Sequence, residues 1–293
     1  MRSLRKDAVF GLMILPSLIG FTVLFILPTV MSFIYSMTDW SVYKRTIQWI
    51  WFNNYFQIFK DDKTLAAIEH SIRYAVVITI VQNVLAIAFA VVLNRSTKVA
   101  SLLKSILFLP AVISIMVVGY VFRYIMSSAD YGLLNMIIGF FGGSPVNWLG
   151  DANLALYSVL ITQVWQWTGW AMVIYIANIK SIDPNLYESA QIDGASSWRM
   201  FTGVTLPLLY PAVSFNVLMS LIGGLKVFDA IFVMTKGGPG YASETMITSL
   251  IQTGFNSGRT AYACAFAVVF FIIVFVISRV LTIAFDKWKE AIS

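Results

Sequence analysis

Gln163, Gln166, Trp167 and Trp170 follow one another at i, i+3, i+4 and i+7, so a helix through them carries two amides and two indoles on one face. Aromatic rings beside amides suit a sugar, whose apolar ring faces stack while its hydroxyls need hydrogen bonds. The same face also suits tryptophans packed on lipid or on a neighbouring protein. A second stripe, Asn216, Ser220, Gly223, Gly224 and Val227, is built of residues small enough for close helix packing. Lys226 and Asp229, three apart, read as an ion pair in which each lowers the other's cost. Gln82, Asn83 and Arg123 are further polar groups in apolar surroundings, where such groups are default candidates for a solute pathway. His70 and Cys264 read as incidental. Catalytic chemistry finds no foothold: there is no G-x-x-x-x-G-K-[ST] phosphate loop, nucleophile elbow, metal-ligand cluster or supported carboxylate pair. The single cysteine cannot form an internal disulfide.

The elements that must position these residues belong to a membrane. Of 293 residues, 59% are hydrophobic and 12% charged, about half the usual charged share of a soluble domain. The mean hydropathy of +0.80 agrees. A helix needs roughly 20 apolar residues to cross the hydrocarbon core, and six stretches qualify: about 9–35, 72–93, 105–126, 156–179, 206–235 and 262–285. Their backbone groups must be bonded internally, and their runs lack the period-2 alternation of barrel strands, so the expected class is all-α. A polytopic six-helix bundle follows, as a single transmembrane domain over 1–293. The run after Arg2, Arg5 and Lys6 is too long for a cleaved leader and reads as a retained first span, with Pro16 and Pro28 as possible kinks.

Orientation follows the bases in the short connections. With the N-terminus inside, the cytoplasmic segments hold Arg2, Arg5 and Lys6; Arg95, Lys98 and Lys104; Lys180 and Arg199; and Lys287 and Lys289. The connection 127–153 has none. Lys44, Arg45, Lys60 and Lys63 would lie outside, but in a longer connection accompanied by Asp39, Asp61, Asp62 and Glu69. Both termini are therefore expected in the cytoplasm. The net charge of +6 is distributed as topology requires, which favours membrane lipid over nucleic acid as its partner.

About 25 residues separate the fourth and fifth spans, more than a hairpin needs. Asp183 before Pro184 predicts an N-cap with proline at the first helical position. A short helix through Leu186, Tyr187, Glu188, Ala190 and Gln191 can stop at a left-handed Gly194, and Ser196 or Ser197 can cap a second helix through Trp198 and Arg199. Ser189, Ala190 and Ala195 are small enough for another surface to approach closely. Asp193 opposes the helix dipole, which suggests a contact elsewhere. Two readings stand side by side: an elbow that docks a partner, or an amphipathic loop on lipid headgroups, which would carry more bases and fewer acids.

This segment resembles the membrane subunits of binding-protein-dependent ABC importers. Their loop reads E-A-A, three residues, G, nine residues, I-x-L-P; here Glu188-Ser189-Ala190, Gly194 and Val204-Thr205-Leu206-Pro207 stand at those places, with Ser189 and Val204 as mild departures. The segment Phe228-Asp229, Thr235-Lys236-Gly237-Gly238-Pro239-Gly240 and Ser243-Glu244-Thr245 is similar to the turn after the fifth span in one of the two permease types of maltose, lactose and glycerol-phosphate importers.

The resemblance implies the six-helix type I importer transmembrane domain, in a bacterial or archaeal cytoplasmic (inner) membrane. It implies half of a sugar pathway, working by alternating access with a second, similar permease in a heterodimer. Two cytoplasmic ATPase subunits would bind ATP and magnesium, leaving this chain without a cofactor and without catalysis. An extracytoplasmic solute-binding protein would deliver the sugar, an oligosaccharide in that family's usage. The loop 181–205 would be the coupling element, with Glu188, Ala190, Asp193, Gly194 and Ala195 at the ATPase. Gln163, Gln166, Trp167, Trp170, Asn216 and Ser220 would line the substrate path, and Gly237, Gly238 and Pro239 the external turn. The alternatives are an importer of another solute, which the glycine-rich turn argues against, or an ATP-independent transporter, for which no inverted repeat speaks.

Overall fold

The structure is a computed structural model that describes the backbone of residues 2–129 and 131–292 and the side chains of 12–129 and 131–291. Arg2, Arg5 and Lys6, on which part of the orientation rests, have side chains outside the described residues. The described chain is helical, with one isolated antiparallel bridge, Thr38 to Trp49. Its contacts form two compact units: residues up to Asp62 with Leu250–Ile272, and Lys63–Ser249 with the chain from Ile273 onward.

In the first unit, α1 (Arg2–Phe21) passes through a π-turn, Thr22–Ile26, into α2 (Leu27–Ser36). The wider turn comes just before Pro28, whose ring and missing N–H do not fit a regular α-turn, and the helix carries on past it. Leu12–Ser36 is apolar, with its side chains mostly exposed as far as Ile34 and Ser36 buried. The connection that follows is ordered. Asn54 in α3 (Asn53–Ile58) donates from Nδ2 to the carbonyls of Ser36 and Thr38 at 2.9 and 2.8 Å. Lys44 pairs with Asp39 at 2.6 Å, and the Gln48 amide donates to the same carboxylate. These two hydrogen bonds hold the Asp39 carboxyl below its ordinary range. Tyr262, near the start of α15 (Thr260–Ile292), donates to Asp61 at 3.0 Å.

The second unit holds α4 (Asp62–Leu93), α5 (Lys98–Val112), α6 (Ile115–Ile125), α7 (Leu133–Phe140) and α8 (Ala155–Ile179). It continues with α9 (Pro184–Ile192), α10 (Ser197–Met200), a π-turn Phe201–Thr205, α11 (Leu206–Leu208), α12 (Tyr210–Leu225) and α13 (Asp229–Met234), and then enters α14 (Met246–Ile251). Small residues set the close approaches. A Cβ on Gly169 of α8 would lie 1.8 Å from the Leu107 carbonyl oxygen of α5, and one on Gly224 of α12 would lie 2.7 Å from Cα of Ala75 in α4. One core cluster gathers Tyr74, Ile78, Val159, Leu160, Val227 and Ile231; another gathers Ala86, Ala90, Met172, Tyr175, Leu209 and Ala212.

Three described helices are individually long and apolar enough to cross a membrane: Leu12–Ser36, Asp62–Leu93 and Thr260–Ala291. The expected third span, 105–126, is not straight: α5 and α6 meet at 99° around Ile113 and Ser114. The expected fifth span, 206–235, also changes. Its helix begins earlier, bends by 68° at Leu209 between Pro207 and Pro211, and ends at Leu225, while 229–234 is a separate turn of helix. At 25 residues, roughly 37 Å at 1.5 Å per residue, α8 exceeds the core thickness. It is not among the apolar helices because of the glutamines and indoles it carries, and most of it is buried in protein.

Candidate functional site

A cavity of about 330 Å³ opens between α4, α8, α12 and the break before α13. Trp167 and Trp170 line it from α8, Tyr74, Ile78 and Gln82 from α4, and Met219, Ser220 and Gly223 from α12. Phe228 closes another wall and Ile115, at the start of α6, a further one. Glycine at 223 and 224 keeps the α12 wall low, leaving room beside the indoles.

Of the six residues expected on the path, Gln163, Trp167, Trp170 and Ser220 line this cavity and Gln166 and Asn216 do not. Trp167 Nε1 donates to Gln163 Oε1 at 3.2 Å, Gln163 Nε2 to Gln166 Oε1 at 3.1 Å, and Gln166 Nε2 to the Ile113 carbonyl at 3.0 Å. The chain of amides therefore runs from the cavity to the break between α5 and α6, where it satisfies a carbonyl released by the bend. Gln166 is fully buried in that role. Asn216 is buried as well, donating to the Ala171 carbonyl at 3.4 Å. Ser220 donates to the Asn216 carbonyl at 2.8 Å and accepts from Asn83 at 2.9 Å, and Tyr175 donates to Asn83 Oδ1 at 2.6 Å. Asn83 thus ties α4, α8 and α12 together, while its neighbour Gln82 faces the cavity.

Two expectations from spacing need correction. Lys226 and Asp229 do not form an ion pair, because α12 ends at Leu225 and the helical i, i+3 geometry no longer applies; both line the cavity instead. Val227 likewise leaves the α12 stripe, and its side chain packs in the core. Arg123 reaches the carbonyl of Val233 at 3.5 Å, a contact between α6 and α13.

The elbow forms from local chemistry. Asp183 accepts from the Asn185 amide at 3.0 Å, with Pro184 opening α9. Gly194 takes φ +71°; the Ala195 amide returns to the Ala190 carbonyl at 2.9 Å and the Gly194 amide to that of Gln191 at 3.0 Å. These two bonds are the Schellman closure of a helix C-terminus. Ser196 then caps α10 through the Arg199 amide at 3.4 Å. Tyr187 and Thr205 hydroxyls, 3.0 Å apart, tie α9 back to the base of the fifth span. Glu188, Asp193 and Gly194 are exposed, and so are the apolar side chains of Ile192 (86%) and Trp198 (71%). Ala190 and Ala195 are half-buried beside them.

Lys236, Gly237 and Gly240 all have positive φ, 54°, 85° and 60°, which makes the glycine-rich segment a compact turn around Gly238 and Pro239. Ser243 Oγ donates to the Gly238 carbonyl at 2.6 Å, and Thr245 Oγ1 to that of Val227 at 3.0 Å. Glu244 is buried and pairs with Lys63 at 3.3 Å. His70 was not expected to matter, yet its Nδ1 lies 3.1 Å from the Glu244 carbonyl, and Ser71 accepts from the Met246 amide at 2.8 Å. The start of α4 thus holds the turn, which borders a second cleft of about 550 Å³ with His70, Arg73, Asn153 and Tyr157. No group of metal-ligating side chains occurs among the described residues.

A helical chain with broken spans, a polar-lined cavity and an exposed glycine-closed elbow defines a multi-pass membrane permease. Residues 82–289 match the family of binding-protein-dependent transport system inner membrane components, and the chain belongs to that family. It is 36% identical over 230 residues to a probable ABC transporter permease of Sinorhizobium fredii, covering 78% of this chain and 74% of that one. It is 32% identical over 254 residues to a trehalose/maltose transport system permease of Thermococcus litoralis, covering 86% and 85%. The fold matches a crystal structure of a bacterial ABC transporter involved in import of the acidic polysaccharide alginate, with a TM-score of 0.86 over 98% of both chains at 24% identity.

Proposed function

We propose that this chain forms half of the translocation path of an ATP-driven importer of sugars, with oligosaccharides as its cargo. The observation that carries the reading is the cavity, where Trp167 and Trp170 offer ring faces beside the amides of Gln82 and Gln163. Relatedness to a trehalose/maltose permease supports the same class of solute. Alternating access would open the cavity first to the outside, where a solute-binding protein delivers the sugar, and then to the cytoplasm. A second, similar permease would supply the other half of the path.

The elbow at 181–205 is the lever in this reading. Glu188, Ala190, Asp193, Gly194 and Ala195 would dock into one of the two ATPase subunits, and the exposed Ile192 and Trp198 would be covered there. ATP and magnesium belong to those ATPase subunits, not to this chain. Both termini and the elbow lie on the cytoplasmic side, and Gly237, Gly238 and Pro239 turn outside. Uptake of a panel of labelled oligosaccharides, amino acids and phosphate by proteoliposomes holding the assembled importer tests the reading. ATP-dependent uptake of an oligosaccharide, lowered roughly tenfold or more by Trp170→Ala, is expected; uptake of an amino acid or phosphate in its place refutes it.

A further inference from the structure

Gln163, Trp167 and Ser220 on the cavity wall are already committed to the protein. Gln163 accepts from Trp167 and donates to Gln166, while Ser220 accepts from Asn83 and donates to the Asn216 carbonyl. Lys226 and Asp229 are the two charged residues of the wall, and they are not so committed. Both line the cavity, the first exposed and the second half-buried, and no hydrogen bond or ion pair of either side chain occurs among the described residues. Charged groups inside a membrane protein face water or a ligand when they do not face each other. The backbone holds them apart: Lys226 caps the C-terminus of α12, and Asp229 stands in the first turn of α13. Each is at the helix end whose partial charge favours it, so neither needs a side-chain partner to stay in place.

A lysine donates and cannot accept, and a carboxylate accepts and cannot donate. A hydroxyl does both. We propose that Lys226 and Asp229 are a donor–acceptor clamp that reads neighbouring hydroxyls of a sugar in the cavity and sets which sugars pass. The proposal rests on the cavity being the sugar's path. The clamp carries no net charge, so it selects an uncharged sugar, and a uronate in the same position would bring its carboxylate against Asp229. The indoles of Trp167 and Trp170 supply stacking area common to many sugars, so discrimination falls to polar groups of the wall, of which these two are the charged ones.

The test uses the assembled importer in proteoliposomes and radiolabelled maltotriose, xylotriose, arabinotriose and trigalacturonate. The neutral trisaccharide taken up fastest by the wild type serves as the probe, with its monodeoxy analogues. Asp229→Asn and Lys226→Gln each lower kcat/KM for the probe at least roughly tenfold, the worth of one charge-assisted hydrogen bond. At least one monodeoxy analogue is transported correspondingly worse by the wild type, and no worse than the probe by the variant that has lost its partner. Asp229→Asn also raises the uptake of trigalacturonate relative to the probe.

Wild-type rates in both variants, equal transport of every monodeoxy analogue by the wild type, or no wild-type preference for a neutral trisaccharide over trigalacturonate overturns the clamp. Met219→Trp, which fills the cavity from α12, separates this failure from that of the wider reading. If it leaves uptake intact, the cavity is not the path. If it blocks uptake while Asp229→Asn and Lys226→Gln transport normally, the path stands and the clamp falls.

Discussion

At the scale of single residues, Gln166 shows how a polar side chain beside the cavity can serve the frame. It is fully buried, takes a hydrogen bond from Gln163 and gives one to the Ile113 carbonyl at the 99° break between α5 and α6. Gln166→Leu keeps the approximate volume but leaves that carbonyl and the Gln163 amide without partners, at a cost of about 1–3 kcal/mol for each stranded group. The expected outcome is a lower unfolding temperature of the detergent-solubilised permease, read by thermal shift or fluorescence-detected gel filtration, together with reduced uptake. Unchanged melting and unchanged uptake would mean that the bend holds without the amide. The sequence placed Gln166 on the same helical face as Gln163, Trp167 and Trp170, which is correct. It could not show that the partner of Gln166 is a carbonyl 53 positions earlier, because the acceptor exists only after the α5 helix has broken.

At the scale of elements, the elbow was legible because its determinants are local. Asp183, Pro184, Gly194 and Ser196 each act within a few residues, and each takes the expected capping role. The broken spans were not legible for the opposite reason. Pro110 lies inside α5, upstream of the turn at Ile113, and hydropathy is blind to direction, so 105–126 and 206–235 read as straight crossings. The same blindness turned Lys226 and Asp229 into a pair: the spacing is helical, but the helix stops between them.

Gly194 gives the elbow a graded test. Its φ of +71° is costly for L-residues by roughly 1–2 kcal/mol, yet a Cβ there would meet nothing within 4 Å. Backbone strain alone therefore ranks uncharged variants. Gly194→Asn, which tolerates the left-handed region, should retain more ATPase co-purification and transport than Gly194→Ala, although asparagine is the larger residue. The reverse order would show that free space for a docking partner, and not the helix closure, is what glycine provides.

At the scale of the whole molecule, the proposed function is that of a device driven from outside itself. The chain has no phosphate-binding loop, its elbow presents Ile192 and Trp198 without cover, and Leu12–Ser36 displays apolar side chains along most of its length. Covering such surface is the largest favourable contribution available to an assembly, at about 25 cal/mol per Å². Lipid can cover Leu12–Ser36, but the elbow's exposed residues sit among Glu188, Asp193 and Arg199, a mixture suited to a protein surface. The purified chain alone in liposomes should therefore neither be labelled by a photoreactive ATP analogue nor accumulate any sugar when ATP is supplied. Adding the ATPase subunits, the second permease and the solute-binding protein should establish ATP-dependent uptake, and Gly194→Asp in this chain should abolish it through the charge it adds beside Glu188 and Asp193 on the docking face, its backbone cost being as small as asparagine's. Accumulation by the lone chain would identify an ATP-independent transporter. Full uptake by the Gly194→Asp assembly would place the coupling surface elsewhere on this chain or wholly on its partner permease.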